Sequence, residues 1–94
     1  MLATKLCSLL HRSELRDLQD VRELLVTGSS LEQGLADAPL VEAGFSTMTL
    51  AWLLDGLDPV ALRGAANLSA EDAAVLDTVR HELIARLVRS SRPT

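Results

Sequence analysis

Apolar residues recur along this chain at intervals of three and four, and the period-2 alternation of a half-buried strand is absent. This patterning predicts six helices and no strand. The first covers residues 2–12, with Leu2, Leu6 and Leu9/Leu10 on one stripe. The second runs over 14–27 behind a Ser13 cap, with Leu15, Leu18, Val21 and Leu25 inward and charge outward. A third starts near Leu31, with Ser30 as its cap. It should break or kink just before Pro39, which removes a backbone donor and clashes with the preceding turn. Residues 40–43 then read as a short turn. Ser46 or Thr47 caps a fourth helix over 48–57. Asp58-Pro59 opens a short fifth over 60–65. Ser69-Ala70-Glu71-Asp72 has near capping-box spacing and opens the longest helix, over 70–90. Its stripe is Leu76, Val79, Leu83 and Leu87, widened by Val75, Ile84 and Val88. Gly28, Gly44, Gly56 and Gly64 each follow an apolar run, where a left-handed residue would end a helix. The expectation is an all-α bundle of five to six helices opening with an antiparallel hairpin. Residues 1–90 form its single domain and 91–94 a flexible tail.

Composition sharpens the core. Hydrophobic residues make up 48% of the 94 positions but aromatics only 2%. Packing must therefore be aliphatic, and Phe45 and Trp52 are expected to anchor it together. So few rings also disfavour a stacking platform for single-stranded nucleic acid. The net charge of −4 argues against a free-standing nucleic-acid binder, whose affinity comes from neutralising phosphates. Charge is uneven along the chain. Residues 28–60 hold five acids and no base, whereas Arg86, Arg89 and Arg92 crowd the end. Those late arginines, with Arg80, form a candidate RNA contact. The stronger reading of the late cluster is the last turns of a helix, where cations complement the dipole.

Cys7 is the only cysteine and sits among Leu6, Leu9 and Leu10, which reads as a buried, inert thiol. One cysteine and two distant histidines assemble no zinc site. The leading stretch is too short to span a bilayer and carries Lys5 in its middle. No membrane association and a cytoplasmic location are expected.

Three constellations bear on chemistry. Gly28-Ser29 has the look of a polymerase-β-type nucleotide motif, but only Glu42 lies near the distance where two metal-binding carboxylates belong. It reads instead as a helix end. Asp55 and Asp58, with Glu71 and Asp72 further on, offer too few oxygens for a hard cation and suit caps and helix ends. The stretch from Lys5 to Leu24 carries more. Lys5 lies between Leu2 and Leu6/Leu9, so its cation starts near the packed side of the first helix. Asp17 and Asp20 lie three apart on one face of the second. In an antiparallel hairpin this lysine and this carboxylate face could meet. A cation for a phosphate and a carboxylate as base make half of a phosphoryl-transfer site. The plainer reading pairs Arg16 with Asp20 within one helix.

A Leu-rich helix carrying Lys5, a short turn, then Arg16-Asp17-x-x-Asp20 opening the next helix resembles the later part of the nucleotidyltransferase toxins of the AbiEii/AbiGii family. The following order is also similar: a Gly-ended helix (24–28), an acidic helix (31–43), Gly44-Phe45 and a Leu-rich helix (49–54). The resemblance covers about residues 2–57. It implies that Lys5 contacts the nucleotide or triphosphate, that Asp17 is the catalytic carboxylate, and that Arg16 and Asp20 orient the site. For the full-length family it implies Mg²⁺ and a nucleoside triphosphate, a tRNA acceptor and an antitoxin partner. The family's amino-terminal half, with its Gly-Ser and metal-binding Asp pair, has no counterpart here. The expectation is thus a partial nucleotidyltransferase-toxin-like protein, inactive and cofactor-free alone. Such a fragment should expose extra Leu and Val where a missing domain packed, and could form a homodimer through those faces. The alternative is a small helical protein-interaction module without catalysis.

Overall fold

The computed structural model describes residues 2–12, 14–65 and 67–91. They form six helices, α1 (Leu2–Arg12), α2 (Leu15–Val26), α3 (Leu31–Val41), α4 (Thr47–Asp55), α5 (Pro59–Leu62) and α6 (Ala70–Ser91), and no strand. The expected all-α class is thus observed. The assignment of residues 92–94 to a tail falls outside the described residues, as does the expected Ser13 cap; Glu14 occupies the N-cap position of α2.

Side-chain oxygens start four of these helices. The Ser30, Ser46 and Ser69 hydroxyls accept from the backbone N–H groups of Gln33, Thr49 and Asp72 at 3.2, 3.3 and 3.0 Å. Asp58 Oδ1 accepts from Val60 and Ala61, with Pro59 in the first turn. These bonds satisfy donors that have no partner within a helix. Helix ends follow the sequence less closely. Of Gly28, Gly44, Gly56 and Gly64 only Gly28 takes a left-handed backbone, at φ 107°; among the other described residues Asn67, at φ 58°, does so too. Gly56 caps α4 in a right-handed conformation. α3 runs through Pro39. The proline stands two residues from the helix end, so the missing donor costs a single bond, and Glu42 N–H still reaches the Ala38 carbonyl at 2.9 Å.

Leu6, Leu9, Leu18, Val21, Leu50, Leu54, Leu83 and Leu87 are almost wholly buried and unite α1, α2, α4 and α6 in one core. α6 lies along α4, with α2 and α5 beside it, and α1 packs on α3 and α2. The α1–α3 contact is built from small residues. Ala3 and Cys7 face Ala38, and Gly34 is in contact with Leu2. The Cys7 thiol points at the Ala38 carbonyl, 3.7 Å away. Burial, and then the charge of Glu42, push its pKa up. Phe45 is half-buried against both clusters, as expected. Trp52 is not in the core: it is 74% exposed. The buried stripe of α4 is Leu50, Ala51 and Leu54. At about 100° per residue, position 52 falls on the opposite face. Val75 likewise lies outside the α6 stripe and is exposed.

Leu40 and Val26 are 85% and 75% exposed, and Val41, Val60, Leu62 and Val75 are exposed as well, so exposed Leu and Val are present while the total area is ordinary for the mass. The accessible area of 5647 Å² is within about 10% of the roughly 5300 Å² typical of a compact monomer of this mass. No helix among the described residues is long and apolar enough to cross a membrane.

Two outcomes follow from the α1–α3 contact. A Cβ on Gly34 would stand 2.8 Å from Leu2 Cδ2 and 2.9 Å from Leu2 Cγ. Gly34→Val should cost ~1–3 kcal/mol, roughly 5–20 °C in melting temperature. Gly64→Ala, where nothing lies within 4 Å, should change stability by no more than ~0.5 kcal/mol. The folded Cys7 thiol holds its proton more tightly than the unfolded one. Its contribution is therefore complete below the ordinary thiol pKa of about 8.5 and fades as pH rises through the higher folded value. Denaturant titrations of wild type and Cys7→Ala across alkaline pH should show that extra loss only in wild type.

Candidate functional site

In the α1–α2 hairpin, two of the four residues singled out in the sequence, Lys5 and Asp20, pair with each other, and Asp17 and Arg16 find partners outside the set. Lys5 Nζ stands 2.9 Å from Asp20 Oδ2, both side chains about one-third exposed. Asp17 is buried, with its side chain 1% exposed, and Oδ1 receives a 2.8 Å bond from Arg12 Nη2. Its other oxygen, Oδ2, has no hydrogen-bond partner. Arg16 projects into solvent, 77% exposed, with Glu14 at 3.9 Å; it does not pair with Asp20. Antiparallel geometry explains the pairing. Arg12 and Asp17 are close to the turn. Lys5 and Asp20 are each further along their helices, so the two ion pairs are successive rungs between α1 and α2.

The structure thus brings Lys5 to Asp20 and not to Asp17. A cleft of about 350 Å³ lies beside Lys5, and its other walls are Asp20, Glu23, Leu24 and Thr27. One cation beside two carboxylates is a poor seat for a triphosphate. Asp17 is neither exposed nor beside that cleft. Among the described residues no three His, Cys, Asp or Glu side chains group to hold a metal. Asp58 is occupied as a helix cap. The residues present therefore do not fit Mg²⁺ with a nucleotide, and no catalytic step is assigned to them.

Among the described residues, a densely bonded side chain is one expected from the sequence to belong to an RNA-contacting cluster. Arg80 is buried, with 6% of its surface exposed. Its Nη1 donates to the carbonyls of Leu54 at 3.0 Å and Asp55 at 2.9 Å. Its Nε and Nη2 donate to Asp77 Oδ1 at 3.1 and 2.7 Å. Asp77 also approaches His81. A guanidinium thus closes the carboxyl end of α4, where carbonyls lack helical partners and the dipole is negative. Spacing could have exposed this role. Ala73, Leu76, Arg80, Leu83 and Leu87 are the buried positions of α6, in steps of three and four, so Arg80 interrupts an apolar stripe. Of the other candidate RNA contacts, Arg86 Nη2 bonds Glu32 at 3.1 Å, tying α6 to α3, and Arg92 lies outside the described residues. His11 and Glu42, 3.0 Å apart, link the end of α1 to the end of α3.

No family model, curated protein or solved structure matches this chain. The reading of its function rests on its own residues.

A stability ranking tests these assignments. Arg80→Met removes the guanidinium from Asp77 and from the Asp55 carbonyl, while the Leu54 carbonyl keeps the Leu57 N–H at 3.1 Å, and should cost ~2–4 kcal/mol. Lys5→Ala breaks a half-exposed pair and should cost less than ~1 kcal/mol. Chemical denaturation of both variants reads the difference directly. A larger loss for Lys5 than for Arg80 would contradict the structural role given to each.

Proposed function

We propose that this chain is a small helical protein-interaction module, and that its Lys5 and Arg-Asp-x-x-Asp residues serve the α1–α2 hairpin. The observation that carries this reading is Trp52, a large ring left 74% exposed in a chain with only two aromatics. It does not stand alone. Met48, one turn earlier, is 51% exposed, and the two make an apolar ridge along α4. Tryptophan is among the residues that dominate binding energy at protein interfaces, and methionine adapts to varied apolar partners. The competing expectation, a nucleotidyltransferase-like remnant, needs a lysine and a catalytic carboxylate at one accessible cleft. Here the two have different partners, and the carboxylate is buried.

Two measurements test the proposal. The purified chain, incubated with labelled nucleoside triphosphates, Mg²⁺ and tRNA, should transfer nothing. Robust transfer that is lost in Asp17→Asn would restore the catalytic reading. A photo-crosslinking aromatic residue placed at position 52 in cells should capture a discrete protein, either this chain or another. The same probe at Glu71, exposed at the start of α6, should capture none. No adduct at position 52 would sink the interaction reading.

A further inference from the structure

A second apolar feature lies on other helices. Between α2 and α6 runs a groove of about 210 Å³, with Leu25, Val79 and Leu83 along it and Val26 at its lip. That volume is below the usual range for small-molecule sites, about 300–1,000 Å³, and is nearer the size of one large side chain. The groove is also bordered by Arg22, Arg86 and a single acid, Glu82. Arg22 has no carboxylate partner within 4.0 Å among the described residues. Arg86 is already held by Glu32 at 3.1 Å, and both border a neighbouring depression with Arg89. The rim of the apolar-floored groove therefore offers one cation without an ion-pair partner, Arg22.

The α4 ridge is its counterpart. Met48, Trp52 and Asp55 all lie on the exposed side of that helix, within about 60° of arc at 100° per residue. They belong to the segment 28–60, which carries five acids and no base. A large ring followed by a carboxylate three residues on meets a side-chain-sized slot with Arg22 at its rim. Both halves of a complementary contact are thus present on one molecule, on different helices.

We propose that the Met48–Trp52 ridge of one copy docks into the α2–α6 groove of a second copy, with Asp55 set against Arg22 at the rim. This rests on the interaction-module reading and names its partner. The two patches differ, so the contact is heterologous. Each pair retains one unused ridge and one unused groove, and association continues to a closed ring or an open filament.

Trp52 is the only tryptophan, so its emission reports the contact directly. Between about 1 µM and 1 mM, light scattering after size exclusion should show growing mass, and the emission should shift to the blue in step. Added salt should weaken association, because the rim charges are exposed. Trp52→Ala, and separately Val26→Glu, should each weaken self-association ~10- to 100-fold. Trp52 and Val26 are 74% and 75% exposed, so these variants should keep the wild-type circular dichroism and melt. The deciding experiment mixes them. The Trp52→Ala chain still has a groove and the groove variant still has a ridge, so together they should form a one-to-one dimer that grows no further, with a blue-shifted emission. If the mixture stays monomeric while wild type associates, the ridge and groove are not partners. If wild type stays monomeric with unshifted emission at about 1 mM, self-association is overturned. The interaction-module reading then survives only if the crosslinker at position 52 captures a different protein, and fails with it if nothing is captured.

Discussion

The arrangement of this bundle turns on one buried guanidinium. Arg80 lies in the middle of the inward stripe of α6 and spends its donors on two carbonyls at the end of α4 and on Asp77. Taking that charge out of water is expensive unless every donor direction is used. Arginine can meet this demand because its fork is planar and rigid; lysine, with one compact ammonium, could not serve the same acceptors. Fixing the end of α4 against α6 also fixes its rotation. Leu50, Ala51 and Leu54 must face inward, and Met48 and Trp52 must then face out.

In the α1–α2 hairpin the motif-like spacing also serves the packing of the two helices. A lysine in the middle of one helix and an aspartate one turn into the next are what a pair of antiparallel helices needs for a rung. A second rung, Arg12 with Asp17, fixes the turn. The two rungs are not equivalent. Lys5 and Asp20 remain partly in water, where such a pair contributes little. Asp17 is wholly buried with one oxygen unpartnered, so its link to Arg12 matters more to the hairpin. Chemistry and architecture ask for the same residue types here. Lys5 and Asp20 border an open cleft with Glu23, whereas Asp17 is buried away from it.

Much of the helix pattern was legible because caps are local. Ser30, Ser46, Asp58 and Ser69 act within three residues of themselves, and the stripes of α1, α2 and α6 are set by the helical repeat. What escaped was non-local. Pro39 is compatible with α3 because it comes at the helix's end, a boundary decided by the contacts of α3 with α1. The role of Arg80 depends on where α4 stops in space. The pairing within the hairpin is non-local in the same way. Spacing could say that Lys5 and the carboxylates of α2 share a side of the hairpin. It could not say which carboxylate each cation meets, because that is set by the axial register of the two helices.

The outward Trp52 follows from how closely these helices approach. α1 and α3 meet through Ala3, Cys7, Gly34 and Ala38, and α4 and α6 contribute Ala51 and Ala73 to their buried faces. Small residues at such positions leave no slot for an indole, and an interior packed to crystal-like density cannot open one without large loss. The core is aliphatic by geometry as much as by composition. An indole on α4 therefore has two physical fates, water or another molecule's surface. Leaving it in water forgoes the ~2–3 kcal/mol that covering such a side chain would contribute. The same tight packing that excludes the ring from the core thus leaves it where a partner can use it.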